Sequence, residues 1–139
     1  MSALTKRSVS HTTALALLDA AAGRAAELAA PVAIAIVDES AVLKAFLRTD
    51  HANLLPVQVA QAKARTAVSI GFDTGGLYDA LDADPTLRSG LIAQPGITLM
   101  GGGLVLRSDG EVIGAIGVSG GSTDQDIDIA EAARTALGL

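Results

Sequence analysis

Hydrophobic and polar positions along this chain follow two periods, and the switches between them mark its elements. From Ser10 to Ala30, Leu15, Leu18, Ala22, Ala25 and Ala29 recur at three-and-four spacing, which predicts an amphipathic helix stopped by Pro31. Gly23 sits within it and costs about 1 kcal/mol relative to alanine. Val32–Val37 alternates large residues with alanines, the pattern of a strand whose small face lets another element approach closely. Asp38–Ala41 makes a turn, and Val42–Thr49 is a second strand of mixed apolar and charged residues. The polar loop Asp50-His51-Ala52-Asn53 leads into a helix with Pro56 in its first turn. Leu55, Val59, Ala62, Thr66 and Ile70 share a face of that helix, and Gly71 ends it. A shorter helix is expected over Thr74–Leu81, then irregular chain or one further helical turn from Asp82 to Pro95. Ile97–Met100 reads as a short edge strand before Gly101-Gly102-Gly103.

The remainder is the least ambiguous stretch. Leu104–Arg107 and Val112–Val118 flank Asp109-Gly110, a strong hairpin signal because such turns need positive φ. The second strand runs into Ser119-Gly120-Gly121, and Ser122 with Gln125 has the spacing of a capping box for a last helix reaching Leu137. Asp124 and Asp126 suit the positive end of its dipole. Glycines just before a capped helix let backbone N–H groups converge on one point, which suits either an anion or a capping side chain. The elements do not alternate as βαβ units. The fold class is therefore α+β, a central antiparallel sheet flanked by helices, in a single domain spanning residues 1–139.

Composition narrows the chemistry. Half of the residues are hydrophobic but only 2% are aromatic, so the core is built from Ala, Val, Leu and Ile. A net charge of −5 with few stacking rings argues against nucleic acid as a partner. No cysteine is present, which removes disulfides, thiolate metal sites and cysteine nucleophiles. No apolar run resembles a signal peptide or membrane span, and a cytoplasmic location is the default expectation. No His-x-x-x-His, HExxH or EF-hand spacing occurs, so no metal site is expected. Asp124, Asp126 and Asp128 alternate without sharing a helical face and read as helix solvation. Gly114, Gly117 and Gly120 lack the GxGxxG spacing of a dinucleotide fingerprint, and the first two read as sites of close helix packing on the strand.

The residues of most interest are Arg48, Asp50, His51, Lys63 and Thr66. Lys63 and Thr66 share a helical face that can look back toward Arg48 at the end of the second strand. Arg48 presents a fork suited to a carboxylate, and Lys63 adds a second positive charge. A plain salt bridge from Lys63 to Asp38 or Asp50 is the competing reading. The expected site is a small, largely apolar pocket with an anion-binding end made by Arg48, Lys63, Thr66, the loop of Gly101, Gly102 and Gly103, and the amides of Gly120 and Gly121. His51 beside Asp50 would supply proton transfer, unless His51 is simply a loop histidine bonded to backbone.

Val37-Asp38, Phe46-Leu47-Arg48-Thr49-Asp50, Lys63-Ala64-Arg65-Thr66-Ala67, Gly101-Gly102-Gly103 and above all Gly114–Gly121 followed by Gln125-Asp126 occur in this order. Together they resemble the GlcG/HbpS-like family of haem-binding or haem-degrading domains over nearly the whole chain. The resemblance implies a profilin-like fold, assembly into homo-oligomers of even order, and haem as a ligand. His11, His51, Met100 and Tyr78 are the available axial donors. Glu39-Ser40-Ala41 and the loop with His51 and Asn53 depart from the small residues and glycines usual in relatives. Two functions are in play: a small-ligand or haem-binding protein, and a cofactor-independent hydratase, isomerase or hydrolase acting on a small carboxylate through His51 and Asp50.

Overall fold

The computed structural model describes residues 1–139. Its elements run α1 (His11–Glu27), β1 (Ala33–Asp38), β2 (Leu43–Arg48), α2 (Leu55–Ile70), α3 (Leu77–Ala80), α4 (Pro85–Ile92), β3 (Gly103–Ser108), β4 (Glu111–Ser119) and α5 (Thr123–Ala136). The four strands form one antiparallel sheet in the order β2-β1-β4-β3. The α+β architecture is thus the one that the element order predicts. No helix is long and apolar enough to cross a membrane.

Side-chain alternation on β1 divides the protein into two layers. Ile34 and Ile36 pair in register with Val118 and Ile116, and with α1 and α5 they form the larger core. Ala33, Ala35 and Val37 face the other way, toward Ala60, Ala64 and Ala67 of α2. Here the small face of β1 has its use, because α2 lies almost on the sheet backbone. A Cβ added at Gly117 would stand 2.0 Å from the Ala60 carbonyl oxygen, and one at Gly103 would stand 2.3 Å from that of Lys63. Gly117 pairs with both Ala35 and Gly103, so the three make one row across the sheet on which the helix rests. Gly114 differs from expectation: a Cβ there would meet the Val37 oxygen and Val9, a neighbouring strand and the N-terminal arm, not a helix.

The local signals worked as their chemistry requires. Asp109 and Gly110 both take positive φ in the hairpin turn, at 49° and 80°. Ser122 accepts from the Gln125 amide while Gln125 caps the Ser122 amide. Other boundaries moved. α1 ends at Glu27, not Ala30, because Ala29 turns to φ 50° before Pro31. The helix expected over Thr74–Leu81 shrinks to Leu77–Ala80, and Asp84 caps an eight-residue α4 on the Leu87 amide. Ile97–Met100 is not a strand. Its Thr98 amide is taken by the Thr66 hydroxyl and its Met100 carbonyl by the Thr74 hydroxyl, so no sheet neighbour claims them.

The two edges of the sheet differ. On β3 the Val105 amide donates to Asp73, and Arg134 bonds both Asp73 and the Val105 carbonyl. On β2 the backbone bonds only toward β1. α2 lies over β1, β4 and β3; Phe46 of β2 packs at the edge of that layer, and Arg48 is exposed. The glycine row generates a prediction about stability. Gly117→Ala drives a methyl into the α2 backbone and should lower unfolding free energy by about 2–3 kcal/mol. Gly23→Ala, exposed and with open space at its Cβ position, should raise it by about 0.5–1 kcal/mol. Urea unfolding of both variants checks the pair of signs.

Candidate functional site

The residues expected to converge fall into two separate groups. Lys63, held on the inner side of α2, is 3% exposed; its ammonium donates to the Val118 carbonyl and to Asp126, each at 2.8 Å. Its partner is therefore Asp126, neither Asp38 nor Asp50. Asp126 is itself 3% exposed, and its other oxygen accepts the Gly121 amide at 2.9 Å. The converging N–H groups before α5 thus meet a carboxylate of the chain itself. Asp126 is therefore buried, not the helix-solvating residue that the alternating acids of α5 predict. It shares a face with Ile129, Ala130 and Ala133, all buried, at the spacing that could have revealed it. Asp128, by contrast, pairs with Arg24 on the surface. Burial pushes the Asp126 carboxyl above its ordinary value, against the pull of the Lys63 ammonium and the Gly121 and Gly120 amides.

Around this pair the glycine loop closes tightly. A Cβ at Gly102 would lie 2.7 Å from the Val118 oxygen and 3.1 Å from the Lys63 nitrogen, and one at Gly101 would lie 2.9 Å from Ile127. Gly120, at φ 130°, passes over Pro31. Lys63, Gly101, Gly102, Gly103, Gly120 and Gly121 line none of the cavities. They form a closed ion-pair nest that joins α2, β4 and α5.

Arg48, Asp50 and His51 lie elsewhere, at the exposed end of β2. Arg48 pairs with Ala33, which pairs with Ser119, so two strand spacings, about 10 Å, separate it from the end of β4. Asp50 borders a hollow of about 340 Å³ at the C-terminal end of α1, while His51, at φ 67°, borders none. His11 is exposed at the start of α1. Thr66 is buried and donates to the Ala62 carbonyl while accepting from Thr98.

The more suggestive hollow lies on the outer side of α2. A groove of about 460 Å³ runs between that helix and the strap of residues 96–100, with Leu55, Val59 and Ala62 on one wall and Ile97 and Met100 on the other. Past the strap, a second hollow of about 410 Å³ is lined by Tyr78, Ile92 and Leu99, and it shares Ile97, Thr98 and Met100 with the first. Arg65 lines the groove, half-buried, with no ion pair or hydrogen bond. Arg7, Arg24, Arg88, Arg107 and Arg134 all bond to carboxylates or carbonyls; only Arg48 and Arg65 do not. Arg65 stands two residues from Lys63 and so points away from the ion-pair nest. The larger cleft between α1 and α5, about 810 Å³, is open, and its Arg24 is already held by Glu27 and Asp128.

The family model described as haem degrading protein HbpS-like matches residues 9–135. The chain belongs to the HbpS-like family. It is 38% identical over 125 residues to the corrinoid adenosyltransferase PduO of Citrobacter freundii, covering 88% of this chain but only 37% of that protein. Protein GlcG of Escherichia coli K12 is 32% identical over 115 residues, covering 83% of this chain and 84% of GlcG. Among solved structures, the PduOC:haem complex superposes with a TM-score of 0.85 at 36% identity, covering 93% of this chain and 94% of that one.

The nest makes a prediction of its own. Lys63→Met leaves a buried carboxylate without its counter-charge and should cost about 3–5 kcal/mol. Adding Asp126→Leu should recover most of that loss, and chemical denaturation of the two single variants and the double variant measures the coupling.

Proposed function

We propose that this chain binds haem in the groove between α2 and the 96–100 strap. The observation that carries the reading is Arg65, a half-buried guanidinium without a partner on a wall that mixes Leu55, Val59 and Ala62 with Gln58 and Gln61. A cation in that setting favours an amphipathic anion, and a macrocycle with carboxylate arms has that chemistry. Met100 is the one candidate axial donor that borders both hollows, and Tyr78 borders the second. The two histidines border neither. The residues fit the group: aliphatic side chains on both walls for the ring, Arg65 for a propionate, and a thioether at the junction. Bound there, haem supplies a redox-active iron. The chain's own residues bind the ring, orient it by its carboxylates and exclude water from one face. The PduOC:haem complex, a relative at 36% identity, supports the choice of ligand.

The acid–base reading of Asp50 and His51 has no comparable support, since both are exposed and His51 borders no cavity. Self-association of even order belongs to the same proposal. Val42, Leu43, Leu54 and Leu55 are exposed apolar side chains, and Leu55 lines the groove.

Titration with haemin should give a saturable Soret change at equimolar ratio. Arg65→Ala should weaken binding about tenfold to a hundredfold, the size of a charge-assisted hydrogen bond, while Arg48→Ala leaves it unchanged. Absence of a Soret change in the unmodified protein, or loss of binding with Arg48→Ala and not with Arg65→Ala, would reject the groove.

A further inference from the structure

Met100 sits on a strap with no helix or strand to hold it, yet the strap is anchored twice from below. Thr66, on α2, and Thr74, in the segment after it, are both fully buried. The Thr66 hydroxyl donates to the Ala62 carbonyl at 2.8 Å and accepts the Thr98 amide at 3.0 Å. The Thr74 hydroxyl donates to the Met100 carbonyl at 2.7 Å and accepts the Gly103 amide at 2.9 Å. Each hydroxyl therefore uses its proton and a lone pair at once, and each bridges two segments far apart in the chain. Between these anchors, the Thr98 side chain accepts the Met100 amide at 3.3 Å, and Leu99 is buried.

We propose that Thr66 and Thr74 are positioning residues that hold the Met100 backbone where its side chain reaches the junction of the two hollows. The inference rests on the groove being the binding site, and it assigns to Thr66 a role other than direct contact with ligand. Anchoring at residues 98 and 100 fixes the backbone from which the half-exposed Met100 side chain reaches the junction. That ordering is in place before a ligand arrives, so it is not charged against binding. A threonine that only filled space would be replaced by valine, its near isostere, without effect. One that works through its oxygen is replaced by serine instead.

The test uses Thr66→Val, Thr74→Val and their serine counterparts in the full chain. Its readouts are haemin affinity, the haem absorption spectrum, the thermal midpoint and the Met100 methyl resonance of the unliganded protein. Each valine variant should bind haemin about tenfold more weakly, with an altered spectrum and a shifted Met100 methyl resonance; serine should restore all three. Valine variants that lose thermal stability while keeping affinity, spectrum and methyl resonance would overturn the inference, since the hydroxyls would then be structural alone. If the unmodified protein takes up no haemin, the groove assignment fails. The methyl resonance still decides, without ligand, whether the two hydroxyls order Met100.

Discussion

Contact between the α2 backbone and the sheet is the constraint on which the rest of this molecule depends. Ala35, Gly117 and Gly103 stand side by side across β1, β4 and β3, and none offers a side chain larger than a methyl. With so few aromatics, this chain cannot fill a wide interlayer gap with rings, so it removes the gap. A helix seated this low brings Lys63 into reach of the Val118 carbonyl and of Asp126 on α5. Its outer side is left to form the wall of the groove.

The ion pair is a product of that seat. Two charges so deeply buried add little net stability, because desolvation offsets much of their attraction, but they penalise any arrangement that separates them. α2 and α5 lie on opposite faces of the sheet, and the pair links them past the end of β4. The family block running from Gly114 to Asp126 thus contains the glycine that seats the helix, the amide that holds Asp126, and Asp126 itself. Its density reflects geometry around a fold-defining contact.

Legibility in the sequence followed chain distance. The hairpin at Asp109-Gly110, the box at Ser122 and Gln125, and the small face of β1 rest on neighbours within a few residues, and each was readable. Lys63 and Asp126 lie 63 positions apart, and no local pattern says which acid a lysine will meet. The strap failed as a strand for a similar reason: Ile97–Met100 has strand-like residues, but threonine hydroxyls took the groups a neighbour would have used. Arg65 carries the same charge as Lys63 two positions before it, and nothing local in the sequence says which of the two is left unpaired. Charge on a half-buried face becomes informative only once its neighbours are known to leave it unpaired.

The unequal edges of the sheet have a consequence for assembly. Asp73 and Arg134 occupy the polar groups of Val105, so β3 offers no template to another strand, whereas β2 does. A sheet that can grow from one flank only reaches its limit once two copies meet there: the joined pair would present a sealed border at either end. Ribbons and fibrils require both flanks, and this architecture withholds one of them.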